Sequence, residues 1–507
     1  MRMPERIVFI GAGGAGLTAA FHVARRAPDA QITLFSREAT VAYSQCGMPF
    51  VLEGRIPGFD ELIIYRPEVF RDLGLDVRAG TTIAEIDLEG KDLATEQGER
   101  IGYDKLVVAT GSRPFIPPVP GAGLPGVQGL ITLEDGKALA ARMPEAKSAV
   151  IIGGGPIGLE TAPAFLGRGI KLTIVERMPQ LLPSALDPDM AAIVRDYLEK
   201  KGATVITGKG VDAINGDATV RSVSCGGETI PADLVLLSAG VRPNVELARK
   251  AGIELGVTGG ILVDEHFRVR KGGRVLEDVL AAGDCAEVRS VVTGRPVVCA
   301  VGTVANRQAA YVGDQLLGKK RPYPGVLCPT ICVIGDLHVG SVGLNARGCE
   351  QAGITPVSFK ARGSTRARYY PGGKAIDVKL LADASAPDDA SAPDDAEAPA
   401  TSRAPTISRA PAITGAPAIT GAPAITGAPT ISGAPTISGR LVGGQAVGEE
   451  GVYGRINVLS LAIGKRMTPG NLAAAETCYA PPVSPMIDPL TYAAEMLALR
   501  CARAKKK

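Results

Sequence analysis

Cys46 stands in the run Tyr43-Ser44-Gln45-Cys46-Gly47-Met48-Pro49-Phe50. A cysteine does redox chemistry as its thiolate. If Cys46 starts a helix, unpaired N–H groups and the helix dipole favour that form. Five residues on is Val51, so the C-x4-C spacing of a local thiol pair is absent. A single sulfur must then act alone, cycling between thiolate and a mixed disulfide, a persulfide or a sulfenic acid. Two glycine-rich turns could hold the electron carriers: Gly11-Ala12-Gly13-Gly14-Ala15-Gly16 and Gly153-Gly154-Gly155-Pro156-Ile157-Gly158. In such a turn the first glycine permits the tight bend, the second lets the backbone approach a pyrophosphate, and the third lets helix and strand pack closely. A carboxylate ending the next strand can accept from both ribose hydroxyls. Glu176 fills that place after the second turn and, by repelling a 2′-phosphate, favours NAD(H) over NADP(H). Arg177 beside it softens the preference. After the first turn Phe35 is followed by Ser36, with Glu38 two residues later, and either could meet the ribose.

Both turns need a strand before them and a helix after. Ile7–Ile10 is an apolar run that reads as a buried parallel strand, Leu17–Arg26 as an amphipathic helix ended by Pro28 and Asp29, and Ile32–Phe35 as the next strand. The pattern recurs with a strand at Ala149–Ile152, a helix at Leu159–Leu166 and a strand at Leu172–Val175. Two such β-α-β units predict two dinucleotide-binding domains. The segment from Tyr103 to Pro114 reads as a strand ending in a small-residue turn. VLAAGDCAEV places Asp284 beside Gly283 at a strand end, where it can bond a polyol hydroxyl.

Composition excludes several classes. The chain has 507 residues, with 55 basic against 52 acidic, so no electrostatic footprint for nucleic acid exists. There is no Trp, and aromatic residues make up 4%, which removes a base-stacking surface. Nine scattered cysteines read as reduced cytosolic thiols rather than a disulfide framework. No apolar run is long enough to span a membrane. Arg2 and Arg6 before an apolar stretch imitate a secretion signal, but the regularly spaced glycines are explained by a nucleotide turn. The expected location is cytoplasmic. His22, His266 and His338 show no ligand spacing. Cys328 and Cys332, four apart in a strand-like run, should share a face but lack two further ligands, so no metal is expected.

Residues 383–438 are of low complexity. An Ala-Pro pair recurs every six residues from Ala386-Pro387 to Ala434-Pro435, nine pairs in register. A β-helix coil would suit the period. A proline in every repeat and one isoleucine in most give little to bury, so disorder is the expectation. Removing the segment joins IDVKLLAD to GRLVGGQAVG, which reads as a hairpin with an expanded tip.

The motifs GAGGAGL, YSQCGMPF, ATGSRP, GGGPIGLE, AAGDCAEV, GTVANRQAA and YAPPVSPMIDP stand in the order found in the single-cysteine branch of the FAD-dependent pyridine nucleotide-disulfide oxidoreductases. The chain resembles that family over nearly its whole length outside the repeat. The resemblance implies FAD on Gly11, Gly13, Gly16, Thr110, Gly111 and Asp284, joined by Ser36 or Glu38. It implies NAD(P)H on Gly153, Gly155, Gly158, Glu160 and Glu176, and Cys46 as redox centre. It also implies a homodimer in which tyrosines cross to the partner's site. Tyr479 in CYAPP is one, and Tyr369 or Tyr370 in RARYYPGG the other, with Tyr370 taken first. CoA-specific members place arginines in the first helix, where this chain has His22, although Arg25, Arg26 and Arg307 are available.

The expected fold is α/β: two Rossmann-like dinucleotide-binding domains plus a C-terminal α+β dimerisation domain that carries the low-complexity insert. The boundaries are 1–112 and 240–324 for FAD, 113–239 for NAD(P)H, 325–382 and 439–500 for dimerisation, and 383–438 for the insert. The expected activity is oxidation of NADH with reduction of CoA disulfide or a related small disulfide through Cys46. One alternative is an NADH oxidase or peroxidase working through a Cys46 sulfenic acid on oxygen or peroxide. Others are a reductase serving a small redox protein, for which Cys46 is dispensable, and a non-catalytic nucleotide sensor.

Overall fold

The short apolar runs at Arg6–Ile10 and Ser148–Ile152 each become the centre of a parallel sheet. In the computed structural model, which describes residues 5–386 and 439–504, three sheets organise the chain. The first has six strands in the order Arg268–Lys271, Arg274–Ala281, Lys105–Val108, Arg6–Ile10, Gln31–Ser36 and Leu75–Ala79, parallel except for its first strand. The second is wholly parallel: Thr204–Thr207, Lys171–Glu176, Ser148–Ile152, Leu234–Leu237 and Val127–Gln128. Strands buried on both faces read as continuous apolar runs, and these do.

The helices after the glycine turns span Gly14–Ala24 and Pro156–Leu166, so each begins three residues earlier than its apolar periodicity suggests. Gly13 and Gly155 act as the N-caps, and neither supplies a capping side chain. The glycines that read as a turn therefore belong in part to the helix's first coil.

The third sheet is antiparallel: Thr330–Ile334, Leu337–Gly343, Arg440–Gly448, Ala375–Asp383 and Pro356–Ser364. Ala375–Asp383 and Arg440–Gly448 pair up to Asp383 opposite Arg440, the hairpin expected once the repeat is set aside. The reading of the repeat itself falls almost wholly on residues 387–438, outside the described residues. Two helices, Val452–Gly464 and Pro489–Ala504, pack on this sheet through Ile456, Leu459, Ala493 and Leu497. Cys328 and Cys332 do not share a face. Cys328 precedes the strand in a left-handed conformation (φ 49°), which breaks the alternation, so only Cys332 follows the strand's pleat. They join different apolar clusters.

No helix of the described residues is long and apolar enough to cross a membrane. Among the same residues no group of three or more His, Cys, Asp or Glu side chains is placed to hold a metal ion.

Arg455 and Asp488 join the two helices of the third unit by a bidentate pair, Nε to Oδ1 at 2.9 Å and Nη2 to Oδ2 at 2.5 Å, and both are largely buried. Removing one charge from such a pair strands the other. Asp488→Asn is expected to cost about 3 kcal/mol, seen as a lower urea midpoint at unchanged slope. An unchanged midpoint would show that the pair adds nothing to stability.

Candidate active site

Gly11 (φ 113°) sits so close to the neighbouring strand that a β-carbon would lie 2.1 Å from the Ala109 carbonyl oxygen. Over Gly13 the space is open, with nothing within 4 Å of such an atom. The helix start behind it offers uncapped N–H groups to that space, the arrangement that suits a pyrophosphate. A second helix, Gly302–Leu316, closes on it: Asn306 accepts from Thr18 at 3.1 Å, and Gln308 accepts from the Gly283 N–H at 2.7 Å. Beside Gly283, the Asp284 carboxylate accepts from Ser112 Oγ at 2.9 Å, and burial raises its pKa. Open backbone, a helix start and a half-satisfied carboxylate fit a dinucleotide.

Ser36 and Glu38 are told apart by their partners. Ser36 Oγ accepts from the Glu38 N–H at 3.2 Å and so serves the local turn. Glu38 Oε2 accepts from the Tyr43 hydroxyl at 2.5 Å. Thr110 donates its hydroxyl to the Asn244 carbonyl at 2.6 Å, which clasps the chain's return beside the cradle. Gly111 (φ 67°) has open space above it.

At the second turn, a β-carbon on Gly153 (φ 109°) would meet the Ser238 carbonyl oxygen at 2.4 Å, and one on Gly158 would meet Ser238 Oγ at 2.3 Å. Glu176 is buried at the strand end, accepting from the Gly154 N–H at 2.6 Å and the Met178 N–H at 2.7 Å. Arg177 is exposed next to it.

Cys46 lies in a one-turn helix, Gln45–Gly47, that passes into the helix Met48–Glu53. Met48 and Leu52 anchor it in a core shared with Leu159 and Phe165 of the second glycine helix. The expected depression of the thiol pKa does not appear. Burial raises it most, and the charges of Glu160 and Asp284 raise it further. The helix of Met48–Glu53 is too short for a strong dipole, and two carboxylates outweigh it.

Glu160 is the residue whose position the motif conceals. Expected with the dinucleotide, it accepts from the Val333 N–H of the third sheet's edge strand at 3.0 Å and lies within electrostatic reach of Cys46. Burial brings its carboxyl up to about 7. Only the folded chain places it within electrostatic reach of the sulfur.

The tyrosine pair is Tyr369 with Tyr479, whose hydroxyls meet at 2.6 Å. Tyr370, taken first from sequence, instead closes a turn through its N–H to Ala367 O at 2.8 Å. Two adjacent tyrosines cannot be ranked by motif, because the turn decides which points at Tyr479. His22 does not replace a phosphate-binding arginine. Its Nε2 is 3.0 Å from Asp314 Oδ1, and its ring packs against Gly313.

The chain is similar to known proteins over most of its length. Residues 5–310 match the profile of the family described as pyridine nucleotide-disulphide oxidoreductase. An NADH oxidase of Methanocaldococcus jannaschii is 35% identical over 97% of this chain and 98% of its own length. A CoA-dependent NAD(P)H sulfur oxidoreductase of Pyrococcus abyssi is 30% identical over 98% of this chain and 99% of its own. A solved NAD-dependent persulfide reductase from A. fulgidus superposes with a TM-score of 0.84 at 31% identity, covering 99% of this chain and 83% of that one.

Glu160→Gln keeps an acceptor for Val333 N–H and removes the charge. The Cys46 thiol pKa is expected to fall, because an anion that opposed the thiolate is gone. The pH profile of iodoacetamide alkylation at Cys46 measures this, and a profile that stays put or moves to higher pH would contradict it.

Proposed function

Since the chain belongs to the pyridine nucleotide-disulphide oxidoreductase family, we propose that it is an FAD-dependent enzyme that oxidises NAD(P)H, with NADH favoured, and reduces CoA disulfide or a related low-molecular-weight disulfide or persulfide through Cys46. The observation that carries this reading is an accessible thiol within electrostatic reach of Asp284 at the dinucleotide cradle. When bound, the flavin supplies the relay between a hydride donor and sulfur, chemistry that side chains lack.

The chain's own residues bind and orient. Gly11, Gly13, Gly16, Gly111, Asp284 and Glu38 hold FAD. Gly153, Gly155, Gly158 and Glu176 hold NAD(P)H, and the Glu176 carboxylate disfavours a 2′-phosphate. As thiolate, the Cys46 sulfur attacks one sulfur of RS–SR, forming Cys46–S–S–R and releasing RS⁻. Two electrons from NADH then cleave that bond and return the Cys46 thiolate and RSH. With one proton taken up, NADH and RSSR give NAD⁺ and two RSH. Glu160, with its carboxyl near 7, sets how readily the Cys46 thiolate forms as its own charge comes and goes.

The third sheet and its helices serve as the dimerisation domain in this reading. Tyr453 and Leu461 are 66% and 65% exposed on one helix, and Met486 and Ile487 are 74% and 63% exposed nearby. A homodimer would cover them and carry the Tyr369–Tyr479 pair toward the partner's site, where a hydroxyl can protonate a leaving thiolate. The names of the sulfur and persulfide reductases among the relatives support the disulfide or persulfide substrate. Among the described residues no disulfide joins two cysteines, which suits a reducing cytoplasm. The second reading, reduction of oxygen through a Cys46 sulfenic acid, is favoured by the relative named an NADH oxidase.

NADH consumption with CoA disulfide, followed by thiol release and oxygen uptake in parallel, decides between them. Cys46→Ser is expected to lower disulfide reduction by roughly three orders of magnitude, while ferricyanide reduction by NADH continues. Full disulfide turnover in that variant would refute the assignment of Cys46. Oxygen uptake without thiol release would establish the oxidase reading instead.

A further inference from the structure

Two cysteines that the proposed cycle does not use come together across the chain. Cys299 lies just before the helix Gly302–Leu316, and Cys328 just before the strand Thr330–Ile334. Their side chains approach each other in the apolar cluster formed with Val304, Tyr311, Tyr323 and Val326, to which Cys299 belongs and against which Cys328 packs. Cys349 and Cys501 also share a cluster, but three other buried cysteines stand apart. Cys225, Cys285 and Cys332 belong to three separate cores, and Cys285 directs its thiol at the Val108 and Ala282 carbonyls.

The geometry points to Cys299 and Cys328 as a second thiol redox site, a dithiol that a low-molecular-weight disulfide oxidises to an intramolecular disulfide.

The backbone on both sides is held in place. Val326 bonds in both directions, its N–H to Arg289 O and its carbonyl to Val291 N–H, each at 2.9 Å. The Cys299 carbonyl accepts from Val301 N–H at 3.1 Å. Cys328 has a left-handed backbone, a conformation that non-glycine residues adopt only when their surroundings enforce it. Cys299 is buried and Cys328 only half so, which makes Cys328 the point of entry. Hydrogen bonding from Cys299 lowers the Cys328 thiol pKa, so the reachable sulfur is also the one readier to ionise.

The Cys328 thiolate attacks RS–SR, forming Cys328–S–S–R and releasing RS⁻. Cys299 gives up its proton and attacks the Cys328 sulfur, expelling the second RS⁻. Two protein thiols and RSSR become one protein disulfide and two RSH, and excess RSH reverses the exchange. The bond would close a loop containing the helix Gly302–Leu316, whose Asn306 and Gln308 support the first glycine turn. The ambient disulfide-to-thiol ratio would thereby act on the dinucleotide cradle without involving Cys46.

The test uses the full-chain holoenzyme without NADH, so its result does not depend on the reading of Cys46. The protein is equilibrated with oxidised glutathione, denatured in N-ethylmaleimide, digested and mapped by mass spectrometry. The expected product is a Cys299–Cys328 linked peptide pair, lighter by two hydrogens and lost on reduction. Cys299→Ser is expected to leave Cys328 as its glutathione mixed disulfide. If wild-type Cys299 and Cys328 are both recovered alkylated under conditions that glutathionylate Cys46, the proposal is overturned. The same holds if Cys328 is found only as a mixed disulfide or linked to another cysteine. The wild-type map decides the matter even if the variant fails to fold.

Discussion

At Gly16 a β-carbon would stand 1.9 Å from the carbonyl oxygen of Gly11, and at Gly158 it would stand 2.3 Å from Ser238 Oγ. These contacts let helix backbone rest directly on strand and turn, with no side chain between them. The rest of the site follows from that closeness. It aims uncapped helix N–H groups at the space over Gly13, and it brings the helix Pro156–Leu166 close enough to carry Glu160 toward Cys46. A larger residue at Gly16 would push the first helix away from its phosphate cradle, and one at Gly158 would move the second cradle and Glu160 together. In the second unit the first turns of one helix thus serve both binding and electrostatics.

Electrostatics around Cys46 run against the simplest picture of a reactive thiol. Burial, Glu160 and Asp284 all oppose its ionisation. A strongly depressed pKa would give a larger thiolate fraction but a weaker nucleophile, since intrinsic nucleophilicity falls with pKa. The raised pKa sets the position the other way, with fewer thiolates at neutral pH and each a stronger nucleophile. Glu160, with its carboxyl near 7, makes that position adjustable, because its protonation withdraws one of the opposing charges. The acceptor bond from Val333 N–H fixes where that charge sits. It also satisfies an outward N–H of an edge strand that would otherwise lie open.

What the sequence disclosed was local. Glycine spacing, apolar runs and Glu176 at a strand end all depend on residues within one β-α-β unit, where chain geometry leaves few options. The hairpin across the repeat was legible for the same reason, since IDVKLLAD and GRLVGGQAVG carry matching strand patterns. What stayed hidden depended on tertiary placement. Glu160 reads as part of a dinucleotide motif because nothing nearby in sequence shows that Val333 and Cys46 converge on it. The choice between Tyr369 and Tyr370 turns on a single backbone bond to Ala367. The pairing of Cys328 with Cys299 needed the left-handed residue that breaks the strand's alternation, and no side-chain pattern announces it.

The third sheet shows how such a chain accommodates added sequence. Its strands Ala375–Asp383 and Arg440–Gly448 stay paired to their final residues, with one register shift between Leu381 and Ala382. Asp383 and Arg440 are therefore neighbours whatever length of chain joins them. Closing a longer connection costs entropy that rises only with the logarithm of its length, by about 0.6 kcal/mol per doubling. The core beneath, built from Ile376, Val378, Leu380, Leu441, Val442 and Ala446, is set by residues on the strands themselves. Sequence added at that tip leaves register and core unchanged, so a six-residue repeat can expand there without disturbing the unit that presents Tyr369 and Tyr479.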